Sequence, residues 1–163
     1  MEEADVTFEL HLNPCQYASA ADVLETVPKL RVIIDHRGTP NDVDQLKTDE
    51  YWNGIKRFAT LPNVFMKISF FARTDPKWEN GDFVLEKSLD LIKLFTPQRC
   101  MFASNFPVDV TEQCGSWTSK GLFEAFATLA KEFTAEERAC LYSTTALKVY
   151  RMDLAAGDGK KKQ

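Results

Sequence analysis

The sequence predicts an α/β fold in which four parallel strand–helix units form a partial (β/α) TIM barrel. Three observations predict it. Segments of strand and helix character alternate four times along 163 residues. Helix-to-strand links are short and strand-to-helix links are long. The chain's only two histidines, His11 and His36, each fall at the carboxyl end of one of two consecutive predicted strands, the edge where parallel α/β folds gather functional side chains.

The elements follow in order. Val6–Asn13 reads as a strand, with Thr7, Glu9, His11 and Asn13 on one face and Val6, Phe8, Leu10 and Leu12 on the other. Ser19–Val27 reads as a short helix with Ser19 as its N-cap. Arg31–His36 is a strand of buried type, and Asp49–Leu61 is helical. Val64–Phe71, rich in branched and aromatic residues, is the third strand, with Lys67 and Ser69 opposite Met66 and Ile68. Asp82–Phe95 carries Phe83, Val84, Leu85, Leu89, Ile92 and Phe95 at helical spacing. Cys100–Phe106 is the fourth strand. From Trp117 the chain is helical, with breaks near Phe133–Thr134 and Ser143; Thr134 followed by Glu137 is a capping box that restarts the helix.

A polar face on strands of a parallel sheet points to a lined pocket or barrel lumen, because central parallel strands are usually apolar on both faces. The long loops RGTPNDVDQLKT, ARTDPKWENG and PVDVTEQCGS all leave strand carboxyl ends, on the edge that bears the histidines. Loops of that length and composition are where binding sites are built.

Bulk properties narrow the function. The chain is 44% hydrophobic and 27% charged with net charge −4, ordinary for a soluble domain and without the clustered basic face of a nucleic-acid binder. No apolar run reaches the ~18 residues of a membrane span, and the acidic start MEEADVTFEL has no signal-peptide core. Cys15, Cys100, Cys114 and Cys140 form no CxxC pair, which fits a reducing compartment, so a cytoplasmic location is expected. Residues 1–152 are expected to form the domain and 153–163 a disordered basic tail.

The stretches FELHLNPCQ, VIIDHRGTP, NVFMKIS and RCMFASNFPVD, in this order and spacing, resemble the last four strands of the amidohydrolase-related proteins. These are TIM-barrel metal-dependent hydrolases that include sugar-lactone and pyrone-dicarboxylate lactonases. The resemblance implies the carboxyl-terminal half of such a barrel and a hydrolase acting on a lactone, ester or amide bond of a small carboxylated substrate. It matches His11 to the histidine ending the family's fifth strand and His36 to that ending the sixth. Both are then candidate ligands of a divalent metal, zinc or manganese, although some lactonases of the family work with none. The family's eighth strand ends in a motif like GSDWP, whose aspartate binds metal or serves as general base; here Asn105 stands at that position. An amide cannot take up a proton at neutral pH as a carboxylate does, and Asp109 is the nearby carboxylate that could substitute. The HxH motif of the family's first strand and its fourth-strand ligand have no counterpart in this sequence.

The candidate catalytic residues are therefore Asn105 and Asp109, and the candidate substrate contacts are His11, His36, Arg37, Lys67 and Arg73. Cations at this edge suit a carboxylate. For Arg37 and Arg73 surface charge is the slightly favoured alternative, and Lys67, facing the polar side, reads also as the partner of Glu9. Asp35 falls on the strand face opposite His36, which gives it a supporting place. Cys15 reads as an inert thiol. Trp52, Trp78 and Trp117 read as packing or loop anchors, with Trp78 the best placed for a lid contact. A half-barrel leaves two strand edges unpaired, so a homo-oligomer or a complementing amino-terminal half is the expected partner. A catalytically inactive half-barrel that binds a ligand or a partner chain is the alternative function.

Overall fold

The computed structural model describes residues 3–109 and 118–153. It contains one sheet of four parallel strands, β1 (Thr7–Leu10), β2 (Arg31–Ile34), β3 (Val64–Ile68) and β4 (Cys100–Phe102), in the order β1-β2-β3-β4. Register places Phe8 beside Val32, Val32 beside Val64, and Met66 beside Cys100. Helices α1 (Tyr17–Glu25), α2 (Asp49–Ala59) and α4 (Phe83–Phe95) follow the first three strands; α3 (Phe71–Thr74) is one turn inside the third connection. After β4 come α5 (Ser119–Ala130), α6 (Ala135–Ala139), a wide turn over Cys140–Thr144, and α7 (Thr145–Tyr150).

Each helix has a legible local cause. The Thr48 hydroxyl accepts from the Tyr51 N–H at 3.2 Å to start α2, with Asp49 and Glu50 in its first turn and Lys56 and Arg57 in its last, matching the helix dipole. The capping box of α6 forms as its sequence indicates: Thr134 N–H donates to Glu137 at 2.9 Å, and Glu137 N–H to the Thr134 hydroxyl at 3.2 Å. Ser19 is not the cap of α1. The helix begins at Tyr17, behind a tight turn at Pro14–Gln16 in which the Gln16 side chain accepts from the Asn13 N–H at 2.8 Å. At the other edge of the sheet, Arg99 donates to the carbonyls of Ala59, Leu61 and Phe95 at 2.8, 2.9 and 3.0 Å, tying together the ends of α2 and α4.

The main core lies between the sheet and α1, α2, α4 and α5. Val32, Ile34, Val64, Met66, Ile68 and Cys100 face Ala21, Leu24, Ile55, Phe58, Ile92, Phe95 and Phe126. Burying a Leu, Ile or Phe side chain contributes about 1.5–3 kcal/mol, so this face holds the sheet flat against its helices. The other face is layered. Ile33, Phe65 and Met101 form a small apolar cluster covered by Val149, with Ala146 and Tyr150 packed on it. Above that cluster the face becomes polar, with Glu9 and Lys67. In a closed barrel this face would be the lumen; here α7 covers its lower part.

Among the described residues β1 and β4 each have a strand neighbour on one side only. All four predicted strands are shorter than the sequence suggests. Their last residues leave the ladder into turns, and there the site is built.

Candidate functional site

His36, Arg37, Gly38 and Thr39 have φ of 56, 58, 81 and 57°, a run of four residues in the left-handed region that begins two residues after the end of β2. Phe70 after β3 (φ 71°) and Asn105 after β4 (φ 53°) share it. Non-glycine residues there are uncommon and cost on the order of 1–3 kcal/mol each, persisting where surrounding structure holds them, often at functional sites. What holds the run is visible. The Tyr17 hydroxyl donates to the Gly38 carbonyl at 2.6 Å and the Tyr51 hydroxyl to the Arg37 carbonyl at 2.7 Å. Burial pushes both phenols up, so they remain donors. Gly38 is required: a Cβ there would lie 2.2 Å from the Tyr17 hydroxyl oxygen.

This turn brings the two histidines together. Their ring centroids are 5.4 Å apart and nearly perpendicular. His36 stacks on Phe70 at 4.9 Å, and its Nδ1 is 2.8 Å from the Ser69 hydroxyl, a contact that fixes the ring and leaves Nε2 for other use. Burial pulls the His36 pKa down, only partly offset by Asp35, so the ring is neutral at neutral pH.

Asp35 belongs to the site, contrary to the expectation from strand alternation. Because β2 ends at Ile34, the period-two rule stops before residue 35. Asp35 and the two imidazoles each offer a ligand atom, all within 4.8 Å of one another. Two histidines and a carboxylate are a donor set that zinc and manganese accept, so the residues fit a divalent metal: His11, Asp35 and His36 would hold it, with Ser69 orienting His36.

Lys67 sits beneath them. Its Nζ is 2.9 Å from Glu9 and 3.0 Å from Asp35, and the Tyr150 hydroxyl donates to the same Glu9 carboxylate. The pairing with Glu9 follows from the shared strand face. Burial alone would lower the Lys67 pKa, but the bonds to Glu9, Tyr150 and Asp35 outweigh it and raise it, so Lys67 is a fixed cation. It is engaged by protein carboxylates, and as a substrate contact it would have to leave them.

Arg37 corrects both of its sequence readings. Its side chain is neither surface charge nor presented to a ligand; it is fully buried. Nε donates to the Ser69 carbonyl at 2.9 Å, and Nη2 to the Phe70 carbonyl at 3.2 Å and the Thr74 hydroxyl at 2.8 Å. The guanidinium also lies 5.0 Å from the Phe71 ring centroid. Burial pulls its pKa down to about 10, so it is still a cation at neutral pH. Arg37 pins the turn after β2 to the turn after β3.

Arg73 is exposed and lines a cleft of about 500 Å³ with His11, Asn13, Thr39, Asn41, Phe70 and Val108. Asn41 donates to the Asn13 side chain at 3.2 Å across one wall. From β4, Asn105 Nδ2 donates to Asp109 at 2.6 Å, and Asp109 is buried. Burial raises the Asp109 pKa; the Asn105 bond and the charges of Arg73 and Arg37 pull the other way. The two candidate catalytic residues are thus in direct contact. Trp78 is buried against Phe71 at 5.4 Å, a packing residue rather than a lid contact, and Trp52 anchors a loop by donating to the Leu46 carbonyl at 2.8 Å. Cys15 is exposed. Cys114, Trp117 and all but the first residue of the expected tail lie outside the described residues. No helix among the described residues is long and apolar enough to cross a membrane.

Parallel strands with histidines, a carboxylate and cations gathered at their carboxyl ends are the arrangement of one part of a (β/α) barrel that builds its site on that rim. The family model described as amidohydrolase matches residues 1–152, and the chain belongs to that family. An uncharacterized protein of Sinorhizobium fredii is 28% identical over 148 residues, covering 90% of this chain and 48% of that protein. L-fucono-1,5-lactonase of Burkholderia multivorans is 28% identical over 131 residues, covering 74% of this chain and 43% of the lactonase. Among solved structures, an amidohydrolase of Burkholderia multivorans with bound zinc superposes with a TM-score of 0.78 at 20% identity, over 93% of this chain and 55% of that one. The chain spans about half the length of the relatives it matches.

Proposed function

We propose that this chain carries the second half of the active site of a hydrolase that opens a lactone, or a related ester or amide, in a small carboxylated molecule. The observation that carries the reading is the meeting of His11 and His36, 5.4 Å apart, beside a cleft at the carboxyl ends of the strands. The similarity to a sugar lactonase supports the choice of bond.

In this reading the substrate ring lies in the cleft against Phe70. Arg73 faces its carboxylate, a role for which a guanidinium fork is suited. Asp109, its pKa raised and its carboxylate held by Asn105, accepts the proton of the attacking water. His36, neutral and oriented by Ser69, positions that water or the carbonyl. When zinc or manganese is bound, it supplies Lewis-acid stabilisation of the oxyanion; His11, His36 and Asp35 are the residues that would hold it. A screen of sugar lactones, L-fucono-1,5-lactone first, with and without added zinc, tests the reading. Ring opening by the wild-type chain, lost in His36→Ala and Asp109→Asn, is expected. Equal rates for wild type and both variants would refute it.

A second reading has a specific observation of its own. The outer edges of β1 and β4 lack strand neighbours among the described residues, and Val6 beside β1 and Phe123 and Tyr142 near β4 are exposed. Exposed strand edges flanked by apolar side chains are templates for pairing. The chain then works as a half-barrel completed by a second copy or by a complementing amino-terminal half. Analytical ultracentrifugation reads this directly: a monomer with no concentration dependence refutes self-association.

A further inference from the structure

We propose that the Lys67 ammonium is an internal cation that competes with a divalent metal ion for Asp35, so that residue 67 sets how tightly the histidine pair holds metal. The geometry argues it in three steps. First, the only carboxylate grouped with His11 and His36 among the described residues is Asp35, and it is already ion-paired, 3.0 Å from Lys67. Second, Lys67 is not a loose surface lysine. The same ammonium is 2.9 Å from Glu9, and Glu9 is bonded to Tyr150. Strands β1 and β3 and helix α7 therefore fix the cation under Asp35. Third, the pair is poorly screened: the side chains of Lys67 and Asp35 are 17% and 14% exposed. A dication held by Asp35 and the imidazoles lies within a few ångströms of a fixed positive charge, and at that range, away from bulk water, like charges repel strongly.

The ligand class is a divalent cation, and the inference holds whichever bond the chain cleaves. It assigns Lys67 a role separate from contact with substrate: the ammonium keeps Asp35 neutralised when no metal is present and weakens the site toward metal.

The test is isothermal titration of the chelator-treated chain with zinc chloride alone. Removing the charge in Lys67→Gln is expected to tighten zinc binding roughly tenfold or more, the scale on which groups bonded to metal ligands act. Lys67→Arg, which keeps the charge, is expected to stay near wild type. The gain is expected to shrink severalfold when Lys67→Gln/Asp35→Asn is measured against Asp35→Asn, because freeing Asp35 is part of it. Circular dichroism checks that each variant is folded. Should Lys67→Gln not fold, Lys67→Met, which also removes the charge, carries the test with the same expected gain. Equal affinities for wild type and the folded neutral variant of Lys67, absence of zinc binding in every variant, or a gain as large in the Asp35→Asn background as in the wild-type background would each overturn the proposal.

Discussion

Replacing Arg37 by Met removes a buried cation while keeping most of the side-chain volume, and its cost can be worked from the structure. Three hydrogen bonds are lost, to the Ser69 and Phe70 carbonyls and the Thr74 hydroxyl, along with the contact over the Phe71 ring. Hydrogen bonds made by charged groups contribute roughly 1.5–3 kcal/mol each, and two of the acceptors left behind, the Ser69 carbonyl and the Thr74 hydroxyl, are in buried bonds. Against that stands the cost of dehydrating the guanidinium, which the variant no longer bears; Nη1 is buried with no hydrogen-bond partner among the described residues. The expected net loss is about 3–5 kcal/mol. For a chain of this size that lowers Tm by roughly 10 °C. Urea unfolding followed by far-UV circular dichroism at neutral pH measures it. Arg37→Lys should lose most of the same stability, because an ammonium cannot span three acceptors set in two directions. A loss below about 1 kcal/mol in Arg37→Met would refute the view that this residue pins the two turns.

Gly38→Ala should be at least as damaging as an ordinary core change, about 2 kcal/mol or more, because it adds a Cβ 2.2 Å from the Tyr17 hydroxyl at φ 81°; thermal unfolding measures it. Glu9→Gln tests the charged layer through pH. Burial would raise the Glu9 pKa, but the bonds from Tyr150 and Lys67 hold it below the usual range, so its stabilisation is present above the ordinary glutamate range and lost as pH falls through the lowered value. Glu9 is partly exposed, and screening reduces the cost of Glu9→Gln to about 0.5–1 kcal/mol at pH 7, vanishing once acid protonates the carboxyl in the folded chain; denaturant midpoints at pH 7 and in acid decide it. Asp109 has the opposite sign. Its raised pKa means the folded chain binds the proton more tightly, so stability falls as pH rises from the ordinary aspartate range through the raised value, and Asp109→Asn should flatten that fall while removing ring-opening activity.

The fold was legible because its signals are redundant. Branched residues in Arg31–Ile34 and Val64–Ile68, helical spacing in Phe83–Phe95 and the Thr134/Glu137 box each specify one local structure, and tertiary packing agrees with all of them. The pair His11 and His36 was legible for the same reason, since strand order alone puts them on one rim. The turns were not. Nothing in the letters of DHRGT announces four consecutive left-handed residues; that conformation is imposed from outside by Tyr17, Tyr51 and Arg37, which reach it from α1, α2 and the turn itself. Two misreadings follow from this one cause. Extending β2 to His36 put Asp35 on the wrong face, and placing Arg37 at a loop start made it look solvated, when the turn directs its side chain inward against Ser69 and Thr74.

The inner face of the sheet shows how a strained, charged site is made compatible with a stable scaffold. At the bottom, Ile33, Phe65 and Met101 are sealed by Val149 and act as ordinary core. One layer up, Glu9, Lys67 and Tyr150 are charged or polar but satisfied by one another. At the top, Asp35, His11 and His36 gather within reach of one another, and His11 lines the cleft. Each layer supports the one above it: the apolar floor backs the ion pairs, and Lys67 neutralises the carboxylate beside the histidines. The same gradient explains why α7, distant in sequence, matters to the rim. Tyr150 holds Glu9, Glu9 holds Lys67, and Lys67 holds Asp35. Loosening the last helix should therefore be felt at the histidines before the sheet itself is disturbed.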